Sequence, residues 1–223
     1  MEILPAIIPQ DIQDLEEKLS QVRGLVSAVQ IDILDGKYTP APSWPYNEDQ
    51  DEELKSICSG DKSLPFSEDF FFEADLMIEN PDEKIEDFIC AGFGRIIVHL
   101  ESANNISTIV EKAKMFDVEI GVAIGMETDI EELEECIEKI DFVQFMAIDN
   151  IGFQGEEFNT DVLEKISTLR EQYPDITISV DGGVNLKNAV LLISAGANRL
   201  AAGSTIFNSD DVEKTISQFQ NLE

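Results

Sequence analysis

The sequence predicts an eight-stranded (β/α)8 barrel occupying one domain over residues 1–223. Three observations predict it. Short apolar, β-branched runs alternate eight times with amphipathic helical stretches, the pattern of a parallel sheet covered by helices. No long linker or shift in composition interrupts the alternation, which favours closure into one barrel over an open sheet or two domains. The length, 223 residues, is about that of one such barrel.

The first run, Ile3–Ile8, reads as a strand and is followed by a helical stretch at Asp11–Val22. Ala28–Leu34 is the second strand. The rhythm then breaks: Lys37 to Phe66 carries Pro40, Pro42, Trp44, Pro45, Gly60 and Pro65, with only a short acidic helix at Glu52–Cys58. A long loop after a barrel strand lies on the C-terminal face, where active sites are built. It is either an ordinary insertion or a lid or substrate wall with Tyr38 and Trp44 as aromatic contacts. Phe71–Ile78 is the third strand. Pro81–Ala91 follows as a helix, with Pro81 suited to its first turn and Ile85, Phe88 and Ile89 at helical spacing. Arg95–Leu100 and Asn105–Phe116 form the fourth unit, and Glu119–Ile124 and Asp129–Ile137 the fifth. Phe142–Ile148 is the sixth strand, and Leu163, Ile166 and Leu169 set the face of its helix, Thr160–Tyr173. Thr177–Val180 with Leu186–Ala195, then Arg199–Ala202 with Asp211–Asn221, complete the set.

Hydrophobic residues make up 43% of the chain, enough to fill a large core. Acidic residues outnumber basic ones 46 to 15, for a formal charge of −31. Such a surface repels nucleic acid and anionic membrane, so neither is expected as a partner. It also repels a phosphate at long range, so any phosphate site must be local, built from backbone N–H groups and helix N-termini. Glu2, Asp11 and Asp14 stand where a signal peptide needs a basic region. No apolar run approaches the roughly 18 to 20 residues that cross a bilayer. Cys58, Cys90 and Cys136 are neither a disulfide framework nor a zinc pattern, which points to a reducing cytoplasm. Cys90 and Cys136 are expected inside helices as small packing residues. Assembly into a homo-oligomer is left open, since no helix shows a decisive apolar face.

Chemistry-bearing residues cluster at the expected strand ends: Asp32 and Asp35-Gly36, Asp75, His99 and Glu101, Asp149 to Gly155, Asp181-Gly182-Gly183, and Gly203-Ser204. Side chains at one end of parallel barrel strands converge. Carboxylates brought together this way repel unless a cation binds them or one keeps its proton. The plain alternative is solvated loop aspartates in a very acidic protein. Gly152, Gly155, Gly182, Gly183 and Gly203 lie in the loops after strands six, seven and eight, the last two being the recurring phosphate site of such barrels. Glycine lets backbone N–H groups approach phosphate oxygens, and the Ser204 hydroxyl adds a donor.

The runs Val29 to Gly36, Ala74 to Pro81, Ile97 to Glu101, Gly152-Phe153-Gln154-Gly155, Val180 to Asn185 and Ala202 to Phe207 resemble the ribulose-phosphate 3-epimerase family, in the right order and over essentially the whole chain. The resemblance implies a TIM (β/α)8 barrel of the ribulose-phosphate-binding type. It further implies epimerisation of a ketose phosphate at C3, D-ribulose 5-phosphate to D-xylulose 5-phosphate or a close analogue. Asp32 and Asp181 match the acid/base pair, which in the family also ligates a divalent metal. Met77 and Met146 match methionines beside the reacting carbons, core filling being the alternative. The loop residues Gly152, Phe153, Gly155, Gly182, Gly183, Gly203 and Ser204 match the substrate and phosphate contacts. His99 is either a substrate contact or a satisfied strand-end histidine.

The sequence also departs from the family. Two metal-ligating histidines are replaced by Gln30 and Asp75, a serine by Ala6, and a glycine by Gln154. His99 is the chain's one histidine, so a histidine-rich zinc site is excluded. What remains is an oxygen set of Asp32, Asp75, Asp181 and the Gln30 carbonyl, suited to Mg²⁺ or Mn²⁺ over Zn²⁺. The readings are therefore an isomerase using an altered metal set, or a sugar-phosphate-binding barrel without metal and chemistry that serves in sensing or with a partner. Decarboxylation or aldol chemistry is disfavoured, because related barrels place a lysine where this chain has Met77.

Overall fold

The computed structural model describes residues 1–47, 51–153 and 155–222. Eight parallel strands close into a barrel in sequence order, β8 pairing with β1. They are β1 (Glu2–Ile7), β2 (Ala28–Leu34), β3 (Phe71–Met77), β4 (Arg95–His99), β5 (Glu119–Ile124), β6 (Phe142–Met146), β7 (Thr177–Asp181) and β8 (Arg199–Ala202). The helices are α1 (Ile12–Val22), α2 (Asp51–Cys58), α3 (Ile85–Cys90), α4 (Ile106–Met115), α5 (Val162–Gln172), α6 (Leu186–Ala195), α7 (Ser204–Phe207) and α8 (Val212–Gln220).

Successive strand residues point to opposite faces, and β2 shows the consequence. Val29, Ile31 and Ile33 pack outward into the large apolar layer shared with Leu15, Leu19 and Val22 of α1. Gln30, Asp32 and Leu34 point into the barrel, and Leu34 joins Met77, Ile97, Ala123, Phe142 and Met146 there. The lower end is plugged by charge and an aromatic ring. The Arg95 guanidinium pairs with Glu73 at 3.0 Å and with Glu119 at 2.7 Å, and both Arg95 and Arg199 stack over Phe142. Gly121 makes room for that ring, since a Cβ there would fall inside it. The barrel is thereby closed below and opens at its upper, C-terminal end.

Besides adding the short α7, the structure departs from expectation in four places. Between Pro81 and Cys90 the chain forms a 3-10 turn at Pro81–Glu83 and then α3. The break at Lys84 lets Pro81, Ile85 and Phe88 all reach the core. The fifth helix is a 3-10 segment, Ile130–Glu135. Ile130, Leu133 and Cys136 recur every three residues on its core side, the 3-10 period. Cys90 is exposed at the end of α3, not packed inside a helix, while Cys136 is buried as expected. Trp44 is fully buried and makes no lid contact. Its segment is zipped to the end of β2, where the Ser43 hydroxyl donates to the Asp32 carbonyl and accepts from the Leu34 N–H. Among the described residues, no helix is long and apolar enough to cross a membrane.

Candidate active site

Asp32 ends up beside Asp75 because β2 and β3 pair in that register. Asp181, the last residue of β7, enters from the other side of the barrel. All three are buried, and one oxygen from each lies within 4.8 Å of the others. Gln30 lies beneath them, its Nε2 donating at 2.8 Å both to Asp32 Oδ1 and to Asp181 Oδ2. The carbonyl expected to serve as a ligand thus points elsewhere: with carboxylates as its neighbours the amide presents its NH₂. Gln30 Oε1 is buried without a partner.

Asp75 is held by a different set. His99 Nε2 lies 3.0 Å from its Oδ1, and Gln144 Nε2 donates to its Oδ2 at 2.8 Å. Ser179, opposite Gln144 in the β6–β7 ladder, donates to Gln144 Oε1 at 3.0 Å and so orients the amide toward Asp75. Tyr38 sits above, its hydroxyl 3.4 Å from both His99 Nδ1 and Glu101 Oε2. His99 is fully buried, with both ring nitrogens partnered, by Asp75 and Tyr38. Gln144 and Ser179 escape sequence reading. Their one signal is a polar side chain at an inward position of an apolar run.

Electrostatics follow from this crowding. Burial, then Asp181 and Asp75, raise the Asp32 pKa well above the ordinary carboxyl value, offset in part by the Gln30 amide. Asp181 is pushed up to about 7, by burial first and by Asp75 second. Burial opposes charge on His99, but Asp75, with help from Glu101 and Asp181, outweighs it and raises the imidazole pKa.

A cavity of about 470 Å³ opens above the carboxylates. Of the residues expected there, Asp32, Met77, Met146, Gly152, Phe153, Gly155, Asp181, Gly182, Gly183, Gly203 and Ser204 line it, while Gln30, Asp75 and His99 lie below. Gln154 is outside the described residues. Ala6 and Ala201 leave space on the β1–β8 side. The loops after β7 and β8 are braced together by the Thr205 hydroxyl, which donates to the Val184 carbonyl at 2.7 Å. Gly203 caps α7, so the first-turn amides after it have no acceptor within the helix. Gly183 has φ +63°, and a Cβ on it would lie 2.9 Å from the Phe158 backbone. The long loop after β2 reaches across the mouth, its buried Thr39 packing where Gly152 has no side chain.

The profile of the Ribulose-phosphate 3 epimerase family matches residues 2–207. The chain belongs to the ribulose-phosphate 3-epimerase family. Ribulose-phosphate 3-epimerase of Bacillus subtilis is 30% identical over 229 residues, which cover 99% of this chain and 98% of that protein. The Aquifex aeolicus enzyme of the same name is 29% identical, over 99% of this chain and 96% of its own. Among solved structures, a 3-hexulose-6-phosphate synthase superposes with a TM-score of 0.70 at 20% identity, covering 99% of this chain and 98% of that one. KGPDC from Streptococcus mutans, solved in complex with D-R5P, gives 0.72 at 14% identity over 98% and 95%. At those identities the two structures establish the shared barrel.

The family is metal-dependent, and the donors present fit a hard cation. Three carboxylates converge on one point, and an unpartnered amide oxygen lies next to them. The nitrogen ligands that favour zinc are absent, because His99 is engaged on the far side of Asp75.

Proposed function

We propose that this protein is an isomerase that interconverts D-ribulose 5-phosphate and D-xylulose 5-phosphate, or a close ketose-phosphate analogue, by proton transfer at C3. The observation that carries this reading is the pair Asp32 and Asp181, which face one cavity from β2 and β7, both with raised pKa values. Asp181, at about 7, is poised to take a proton near neutral pH. Asp32, its carboxyl raised by burial and by Asp181 and Asp75, returns a proton to the other face of the carbon. Met77 and Met146 give the reacting carbons an apolar, polarizable wall. The phosphate is held by backbone N–H groups of the loops carrying Gly152, Gly155, Gly182, Gly183, Gly203 and Ser204, with Phe153 over the entrance.

Asp32, Asp75 and Asp181 would hold a divalent cation, Mg²⁺ or Mn²⁺ in preference to Zn²⁺, and a turn of the Gln30 amide would add its Oε1. Such a cation supplies positive charge against oxygens on which negative charge develops as the proton leaves. Gln144 and His99 keep Asp75 turned toward that point. We place the enzyme in the cytoplasm, acting on a small phosphorylated sugar without nucleic acid or membrane.

The test is conversion. Pure protein is given ribulose 5-phosphate with Mg²⁺, Mn²⁺, Zn²⁺ or Fe²⁺ in turn, and xylulose 5-phosphate is followed by NMR. Formation with Mg²⁺ or Mn²⁺ supports the assignment. Saturable binding of the sugar phosphate with no conversion under any metal overturns it in favour of a binding protein.

A further inference from the structure

Two cysteines, 32 residues apart in sequence, meet on the outside of the barrel. Cys58 ends α2 and Cys90 ends α3. Cys90 Sγ lies 3.2 Å from the Cys58 carbonyl oxygen. Cys58 Sγ lies 3.0 Å from the carbonyl oxygen of Asp87, one turn before Cys90. Each thiol therefore rests against the backbone of the other's helix end. Cys90 is exposed and Cys58 half-buried, while the third cysteine, Cys136, is buried.

With each thiol seated on the other's helix end, closure needs the two sulfurs brought together to the S–S bond length of about 2.05 Å. Both sit on the last residue of a short helix, where side-chain rotation can supply that movement. We propose that Cys58 and Cys90 are an oxidisable pair that closes a reversible disulfide between α2 and α3, with a low-molecular-weight disulfide such as oxidised glutathione as the oxidant. Cys90, the exposed partner, attacks the small disulfide as its thiolate and expels one thiolate, leaving a mixed disulfide on its own sulfur. Cys58 then gives up its proton to water, attacks the Cys90 sulfur and expels the second thiolate. The protein loses two protons and two electrons, and one small disulfide is reduced to two thiols.

Burial, the Cys90 contact and Asp87 push the Cys58 thiol up to about 12. Because the thiolate is the attacking form, closure speeds up about tenfold per pH unit below that value. α2 follows the segment after β2 whose Ser43 is tied to the end of that strand. The bridge would fasten α2 to α3 without touching any residue of the site.

The test uses the full chain in graded mixtures of reduced and oxidised glutathione near pH 7 and pH 8, quenched, alkylated and mapped by mass spectrometry. The expected wild-type product has lost two hydrogens, carries one Cys58–Cys90 linked peptide pair, forms about tenfold faster at the higher pH, and reverts with dithiothreitol. A Cys58→Ser variant should stop at glutathione on Cys90. The wild-type map decides on its own. A stable glutathione adduct on Cys90, free thiols across the whole redox range, or a bridge to Cys136 would each overturn the proposal.

Discussion

Exchanging Asp181 for asparagine removes one of three carboxyl groups packed toward the ends of β2, β3 and β7 while keeping the side chain's shape. In the parent, burial and Asp75 move this carboxyl from an ordinary 3.8 to about 7. At about 1.4 kcal/mol per pKa unit, that shift opposes ionisation in the fold by on the order of 4 kcal/mol. The folded state holds the proton more tightly than the unfolded chain. The penalty is therefore absent below about pH 4 and grows as pH rises through about 7. Asparagine carries no such penalty. Against it, Gly182 N–H donates to Asp181 Oδ1 at 2.6 Å and Gln30 Nε2 donates to Oδ2, so the new NH₂ would face the Gln30 NH₂. Such a mismatch costs about 1–3 kcal/mol, and it is relieved if Gln30 turns its unpartnered Oε1 toward the asparagine. The expected net is a gain of roughly 1–3 kcal/mol for metal-free protein at about pH 8, and no gain at about pH 4. Urea denaturation in chelator at both pH values reads this directly. A variant less stable than the parent at the higher pH, or equally changed at both, would refute the reasoning.

Other outcomes follow from the same geometry. Mn²⁺ at about 100 times its dissociation constant should raise unfolding stability by about 2.7 kcal/mol near pH 8. The effect should fade below about pH 5 as the carboxylates are protonated; thermal unfolding with and without EDTA checks it. Gln144→Leu removes the amide between Ser179 and Asp75, and should weaken Mn²⁺ binding about 10- to 100-fold with far-UV circular dichroism unchanged. Electron paramagnetic resonance of free Mn²⁺ gives the affinity. Gly183→Ala places a Cβ against the Phe158 backbone at φ +63°, costing about 1–2 kcal/mol for the left-handed conformation and raising KM for the sugar phosphate more than it lowers kcat.

The barrel was legible because its strands are β-branched runs punctuated by turns, and six of the eight helical segments also match closely. Asp181 was legible because it ends β7 beside Gly182, and Asp32 because it lies toward the C-terminal end of β2 ahead of Gly36, where barrel topology forces convergence. Gln144 was hidden inside Phe142–Met146, since only the tertiary register shows that it reaches Asp75 on a strand three places away. Trp44 misled because an aromatic among prolines reads as surface, yet Ser43 ties its segment to β2 and buries the ring. The orientation of the Gln30 amide depends on what its neighbours present, which composition cannot reveal. Contact between Cys58 and Cys90 depends on how α2 packs on α3, and nothing in their spacing announces it.

The central claim, proton exchange at C3 by Asp32 and Asp181, is tested most directly by isotope wash-in. Ribulose 5-phosphate is incubated with the protein and Mn²⁺ in heavy water, and the C3 proton is followed by NMR. The account predicts loss of that signal with the wild-type protein and its persistence with Asp181→Asn and with Asp32→Asn. A C3 proton that persists with wild-type protein while the sugar phosphate binds, or exchange that survives in both variants, would contradict it.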